Sequence, residues 1–384
     1  MIPYARQSIN QADIDAVVDV LRGDWLTQGP AVPQFEQALA TYCGAAAAVA
    51  VSSGTSALHL ACRALGFGPG DTLWTSPVTF VSSANCALFC GGDVDFVDID
   101  ERTYNLCPRA LARKLDVAER AGKLPKIVVP VHFAGQSCDM AEIQTLAQRY
   151  GFRVIEDASH ALGGNYRGLP VGSCQYADIT VFSFHPVKSI TTGEGGALVC
   201  KDRALADRAG MLRSHGITRD PSTLSDDSQG GWYYEQLELG FNYRMTDLQA
   251  ALGLSQLNRL DSFVARRRQL ARQYDERLQG LPLQKPWQHP GSESAYHLYP
   301  VRFDGGAETR RQVFDSLACA GIRSQVHYIP VHLQPFYRER GFRRGDFPES
   351  ERYYDGALSL PLFPRLSAGE QDKVVRVLEE VTGR

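Results

Sequence analysis

The sequence contains no uninterrupted apolar run of the roughly 20 residues that a membrane-spanning helix needs. Its opening, MIPYARQSINQADID, has no basic start followed by an apolar stretch. No secretory leader is therefore expected, and a cytoplasmic location is. Charge of one sign is also lacking: 40 Lys and Arg face 43 Asp and Glu, a net of −3. That balance argues against binding nucleic acid through a broad basic field. No Cys-x-x-Cys pair occurs, and the nine cysteines (43, 62, 86, 90, 107, 138, 174, 200 and 319) show no zinc spacing with histidine. No metal site is expected. Their odd number and apolar surroundings suit reduced, buried thiols. A Walker loop and the Gly-x-Gly-x-x-Gly fingerprint are both missing, which argues against a nicotinamide-dependent oxidoreductase.

The 384 residues are 44% hydrophobic, enough for the core of one large unit and a smaller one. Residues 10–22 place apolar side chains at helical spacing, with Asn10 as a cap, and 33–43 repeat the pattern. AAAAVAVSSGTSALHLACRAL reads as strand, small-residue turn and helix, and DTLWTSPVTFVSSANCALFCG repeats that order. Further strands are expected in DVDFVDID, PKIVVPVHFAG and FRVIEDASHALGG, with a helix near 139–150. DITVFSFHPVKSITTGEGGALVCKD holds two strands around a polar turn. A polar loop is expected over 219–238, with Trp232, Tyr233 and Tyr234 packing within it. Helices are expected over 246–260, capped by Thr246, and over 261–278. A smaller α+β unit follows. Apolar strands alternating with helices indicate an α/β fold with a mostly parallel, doubly covered sheet. Ligands gather at the carboxyl ends of strands in such sheets. Those ends carry Ser53 to Ser56, Asp157 to His160 and Ser183 to Lys188.

Each of these admits a plain reading alone: Lys188 as a lysine on an exposed turn, Asp157 as a metal ligand or helix cap, Ser183 as a satisfied core serine. Together they suggest more. A lysine after a buried strand is costly to keep charged, and a Schiff base with a carbonyl cofactor removes that charge. A carboxylate ending a buried strand needs a cationic partner, and a pyridinium nitrogen is one. SSGTSAL lets backbone N–H groups approach an anion at a helix start.

The ordered set SSGTSAL, EDASHA, SFHPVK, TTGEGG and FNYRMTDLQAALGLSQL resembles the DegT/DnrJ/EryC1/StrS family of sugar-nucleotide aminotransferases, from TQGPAVPQFE to SLPLFP. The resemblance implies a fold type I aminotransferase that uses pyridoxal 5′-phosphate, with pyridoxamine 5′-phosphate as its other form. It implies a large domain over 10–255, a smaller C-terminal domain over 256–384, and residues 1–9 returning to the active site. Lys188 would be the Schiff-base lysine and proton shuttle, Asp157 the partner of the pyridinium nitrogen, and His160 a neighbour of the phenolic oxygen or ring. Many relatives carry glutamine where His160 stands. Phe80 would stack on the ring, and Gly54, Thr55, Ser56 and Ser183 would hold the phosphate. Asn242 would reach that phosphate from the neighbouring subunit, which implies a homodimer with shared sites. Substrate contacts would come from Tyr4, from Asp24, Trp25, Leu26 and Thr27, and from Gln325, Val326, His327 and Tyr328. Arg244 would meet an anionic group of the donor or nucleotide, or form a structural ion pair.

Within the family, LTQGP, NCALFCG, LRSHGIT and QVHYIPVHLQPFY are most similar to the transaminases of pseudaminic acid synthesis. The implied partners are L-glutamate and a UDP-linked 4-keto-6-deoxy-2-acetamido hexose, with neither nucleic acid nor membrane. Two alternatives stand beside this: another nucleotide-linked keto sugar, and a non-catalytic regulatory protein on the same fold. Relatives of the latter kind would be expected to lose Lys188 or Asp157, and both are present.

Overall fold

The computed structural model describes residues 1–226 and 230–383. Residues 227–229 of the loop expected over 219–238 lie outside the described residues. Seven strands build the main sheet: β1 Ala47–Val51, β2 Thr72–Thr75, β3 Asp93–Phe96, β4 Ile127–Val129, β5 Arg153–Asp157, β6 Ile179–Ser183 and β7 Gly196–Cys200. Their spatial order is β1-β7-β6-β5-β4-β2-β3. All neighbouring pairs from β6 to β3 are parallel. Only β7 runs against its neighbours, pairing Ser183 with Gly196 on one side and Val51 with Gly196 on the other.

The strands are apolar because both faces are covered. Along β1, Val49 and Val51 enter one core while Ala50 enters the other, the two-residue period of a strand. One face is closed by α3 (Gly54–Ala64), α4 (Ser82–Phe89) and α7 (Arg203–Arg213). The other is closed by α2 (Ala31–Cys43), α8 (Asp247–Leu257) and the start of α9 (Leu260–Arg277). α1 (Gln11–Arg22) opens with Asn10 and Asp13 in a reciprocal capping box, and α8 with Thr246 and Gln249. Each arrangement satisfies two backbone donors that a helix start leaves free. α5 (Pro108–Arg120) and α6 (Met140–Tyr150) complete the layers.

A second, antiparallel sheet follows in the order β8 (Leu283–Gln284), β9 (Tyr299–Phe303), β10 (Ala357–Leu360). α10 (Gly306–Cys319) and α12 (Ala368–Thr382) share its core, and α11 (Pro348–Gly356) leads into β10. α9 serves both cores: Leu260, Phe263 and Val264 pack in the first, and Leu270, Ala271 and Tyr274 in the second. The chain start joins the second core as well. Ile2 pairs with Ile322, its N–H donating to Gly321 O at 2.9 Å and its carbonyl accepting from Arg323 N at 2.8 Å.

Two sequence expectations are modified. Eight cysteines are buried, but Cys319 is exposed at the end of α10. In the 219–238 loop, Tyr233 is half-buried and donates to Glu235 Oε1 at 2.9 Å, whereas Trp232 is 76% exposed and Tyr234 50%.

Candidate active site

Three strand ends and two helix starts meet at one edge of the main sheet. β5 delivers Asp157, which is 5% exposed. Its carboxylate accepts from Ser83 Oγ at 2.6 Å and from the Ser159 N–H at 3.1 Å. Ser83 lies in the first turn of α4 and is itself tied to Thr79 Oγ1 at 2.7 Å. Sequence reasoning does not single out Ser83, since a serine in SPVTFVSSAN carries no distinguishing spacing.

β6 delivers Ser183 and then the hairpin that carries Lys188. Phe184 N donates to Gly195 O, and Thr192 N to Phe184 O, closing that hairpin. Lys188 N donates to His185 O at 2.9 Å. Burial pushes the Lys188 ammonium down to about 8, while the nearby Asp157 carboxylate acts the other way. An amine near that value is partly neutral at ordinary pH, as a nucleophile and proton carrier must be.

β1 leads through Ser52 and Ser53 into α3, where Ser53 caps the helix by accepting from Ser56 N. The approach to Ser183 is tight: a Cβ on Gly54 would stand 3.0 Å from Ser183 Cβ. Gly196 is tighter still, its added Cβ falling 2.5 Å from the Ser53 backbone. Thr55 Oγ1 lies 2.7 Å from Ser82 Oγ, and Ser56 Oγ 2.7 Å from Ser53 Oγ. Unpaired N–H groups of the first helical turn, ringed by hydroxyls, favour an anion.

The wall opposite is aromatic and comes largely from the C-terminal third. His160 Nε2 lies 3.1 Å from the Tyr328 hydroxyl. Burial, then the Lys188 charge, holds His160 well below the usual histidine range. Its Nδ1 is buried without a hydrogen-bond partner among the described residues. The His297 ring lies 4.5 Å away, also with a buried, unpartnered Nδ1. His327 Nδ1 pairs with Ser359 Oγ at 2.9 Å, and the Tyr353 hydroxyl donates to His327 O at 2.8 Å. Burial, then the Lys188 charge, pushes His327 down to about 3. Tyr4 lies 5.5 Å from the His327 ring, its carbonyl accepting from Leu362 N. Phe80 is 59% exposed, with its ring 6.3 Å from that of Tyr328.

The structure thus gathers Lys188, Asp157, His160, Phe80, Gly54, Thr55, Ser56, Ser183, Tyr4, His327 and Tyr328. Gln325 joins this wall through backbone pairing with Ser359, and Val326 packs on the second core. The remaining candidates stand elsewhere in the chain. Asp24, Trp25, Leu26 and Thr27 are exposed, with Thr27 pairing to Thr246 and Leu26 O accepting from Asp247 N. Asn242 is exposed beside Ser214, and Arg244 is half-buried beside Val51. Among the described residues of this copy, Arg244 forms no ion pair. His332 is buried, with Nε2 2.9 Å from Glu351 Oε1.

This donor set fits pyridoxal phosphate. A buried carboxylate suits a ring cation, and a desolvated amine suits an aldehyde. The Gly54–Ser183 contact, which a methyl group would crowd, suits a phosphate held by backbone. An unpartnered histidine nitrogen and an exposed phenylalanine complete surroundings for a polar, flat ring.

Comparison with known proteins bears on this geometry. The DegT/DnrJ/EryC1/StrS aminotransferase family matches residues 7–379. Spore coat polysaccharide biosynthesis protein SpsC of Bacillus subtilis is 41% identical over 385 residues, covering 99% of this chain and 97% of that protein. The PMP form of the putative sugar aminotransferase Spr1654 from Streptococcus pneumoniae superposes with a TM-score of 0.91 at 31% identity, covering 100% of this chain and 99% of that one. Helicobacter pylori PseC, an aminotransferase involved in the biosynthesis of pseudoaminic acid, gives a TM-score of 0.90 at 30% identity, with 99% of each chain covered. The chain belongs to the DegT/DnrJ/EryC1/StrS family and is a pyridoxal-phosphate-dependent sugar aminotransferase of fold type I.

Proposed function

We propose that the protein transfers the amino group of L-glutamate to a UDP-linked 4-keto sugar, UDP-2-acetamido-2,6-dideoxy-β-L-arabino-hex-4-ulose. The products are 2-oxoglutarate and UDP-4-amino-4,6-dideoxy-N-acetyl-β-L-altrosamine, a precursor of pseudaminic acid. The observation that carries the aminotransferase chemistry is the half-buried Lys188, with its ammonium pushed down to about 8, beside Asp157 and the Gly54–Ser183 cradle. The likeness to PseC and the sequence motifs support the sugar.

Lys188 would hold the cofactor through its aldehyde carbon. Its amine would serve as the base that takes the proton from the donor's Cα and hands it on, one group serving both transfers. Asp157 would pair with the ring nitrogen, its carboxylate held in place by Ser83 and Ser159. Bound pyridoxal phosphate supplies an electron sink and carries the amino group between substrates as pyridoxamine phosphate. His160 would stand beside the cofactor's phenolic oxygen and Phe80 against its ring. Gly54, Thr55, Ser56 and Ser183 would hold the phosphate, joined by Asn242 of a second copy. The exposed Asn242 and Asp24–Thr27 segment then serve the neighbouring site of a homodimer. Arg244 meets an anionic group of the donor or nucleotide.

A second reading keeps the chemistry and changes the sugar. SpsC is 41% identical, PseC 30%, and SpsC is named for spore coat polysaccharide biosynthesis. A different nucleotide-linked keto sugar is the substrate under that reading. One titration separates them. L-Glutamate converts the holoenzyme to its pyridoxamine form, followed by visible absorbance, and two UDP-linked keto sugars are then added separately. Recovery of absorbance with the L-arabino sugar alone supports the first reading. Recovery only with its D-xylo epimer refutes that sugar and keeps the aminotransferase.

A further inference from the structure

We infer that Tyr328 is a positioning residue that fixes which nitrogen of His160 carries the hydrogen: its hydroxyl donates to Nε2, so that Nδ1–H is left as the donor facing the cofactor. The inference rests on the proposed place of His160 beside the cofactor's phenolic oxygen, and it reassigns Tyr328 from the substrate contact that the family resemblance implies.

The geometry is that of a directed hydrogen bond. The His160 and Tyr328 rings are tilted by only 19°, with centroids 6.1 Å apart, while the hydroxyl lies 3.1 Å from Nε2. Near-parallel rings with the hydroxyl within hydrogen-bond distance of Nε2 suit a phenol donating to that nitrogen. An unprotonated imidazole nitrogen carries a lone pair that accepts such a donor.

The state of His160 makes the tautomer matter. Burial, then the charge of Lys188, disfavours its imidazolium. A neutral imidazole has one donor and one acceptor, and a single hydrogen bond can choose between them. Burial, with the Asp157 charge, keeps the Tyr328 phenol protonated. A phenol is a strong donor and a weak acceptor, so the pair is better made with the hydrogen on oxygen. The alternative would leave Nδ1 as a bare acceptor facing an oxygen anion, two acceptors in contact.

Tyr328 is itself held on all sides. Its ring meets Phe133 and Phe80, each at 6.3 Å. The peptide before it is fixed by Tyr353, and His327 by Ser359. A few residues on, Val331 N donates to Pro77 O. A pose so constrained selects a tautomer without being selected by it. His297, packed on the same imidazole, offers its own Nδ1 no closer partner.

The test has two arms. In cofactor-free protein labelled with 15N-histidine, the His160 resonances should show Nδ1 protonated and Nε2 as acceptor, and Tyr328→Phe should move them toward a mixture. Nε2 protonated in the unmodified protein overturns the inference. The second arm is a cycle with His160→Gln, whose amide donor has no tautomer to lose. Tyr328→Phe should slow the L-glutamate half-reaction about tenfold when His160 is present, the worth of one hydrogen bond, and less than about twofold in the His160→Gln background. Equal losses in both backgrounds would mean that Tyr328 acts directly on substrate, and the inference falls. Wild-type cofactor affinity and rate in His160→Gln would refute the role of His160, while the resonances still decide the role of Tyr328.

Discussion

Replacing Lys188 with methionine should abolish transamination and, at neutral pH, make the cofactor-free protein more stable. The reasoning starts from a cost of function. In the unfolded chain a lysine takes up its proton as pH falls through about 10.5, whereas the folded site resists until about 8. Across that window the unfolded state binds more protons, so stability falls as pH falls, and below about 8 the full penalty persists. The two values differ by enough to set it at about 3 kcal/mol, an upper figure because the side chain is half-buried and solvent screens part of it. Methionine keeps the aliphatic stem and removes the charge. The variant should melt about 4 °C above wild type at pH 7 for a chain of this length, and the gap should close toward pH 10.5. Paired thermal melts of cofactor-stripped proteins measure this, since other titrating groups cancel between variants. A gap independent of pH would mean that packing, not desolvation, sets it. A wild type more stable than Lys188→Met at pH 7 would refute the reasoning.

Three further outcomes are expected. Gly54→Ala places a methyl 3.0 Å from Ser183 Cβ, and crowding of about 1–3 kcal/mol should weaken pyridoxal phosphate binding roughly tenfold or more; unchanged affinity in a cofactor titration would remove Gly54 from the cradle. Asp157→Asn should slow the L-glutamate half-reaction on the order of a hundredfold, because an amide does not stabilise a protonated ring nitrogen; stopped-flow rates equal to wild type would remove that pairing. Arg267→Leu strips the donor shared by Leu362 O at 2.9 Å and His297 O at 3.2 Å, leaving buried carbonyls unpaired. It should cost about 2–3 kcal/mol of stability, read as a lowered urea midpoint, and an unchanged midpoint would refute that role.

Much of this is legible in order along the chain. Buried strands announce themselves as apolar runs, and Asn10 and Thr246 mark helix starts because short polar side chains satisfy free N–H groups there. Lys188 and Asp157 stand out as costly charges after buried strands. What escapes depends on encounters between distant segments. Ser83 becomes notable only once α4 lies over Asp157, and nothing in SSAN distinguishes it from its neighbour Ser82. His160 and Tyr328 are 168 residues apart, so no local period connects them. His332 finds Glu351 only when its short helical turn folds against α11. The outward turn of Trp232 runs against expectation, because aromatic content alone does not say which way a surface loop faces.

The pairing of Ile2 with Ile322 has a consequence for how the protein is made. The residues around Ile2 leave the ribosome long before their partner segment exists, and must wait unpaired until the second core is synthesised. Meanwhile the main sheet, with Asp157 and Lys188, is already complete in sequence. Tyr4 finds the His327 ring only when the last third has emerged. A chain stalled or clipped before then carries Lys188 without its aromatic wall. Closure of the site waits in this way on the synthesis of its most distant part, and the early segment, once paired, reports that the late one has arrived and folded.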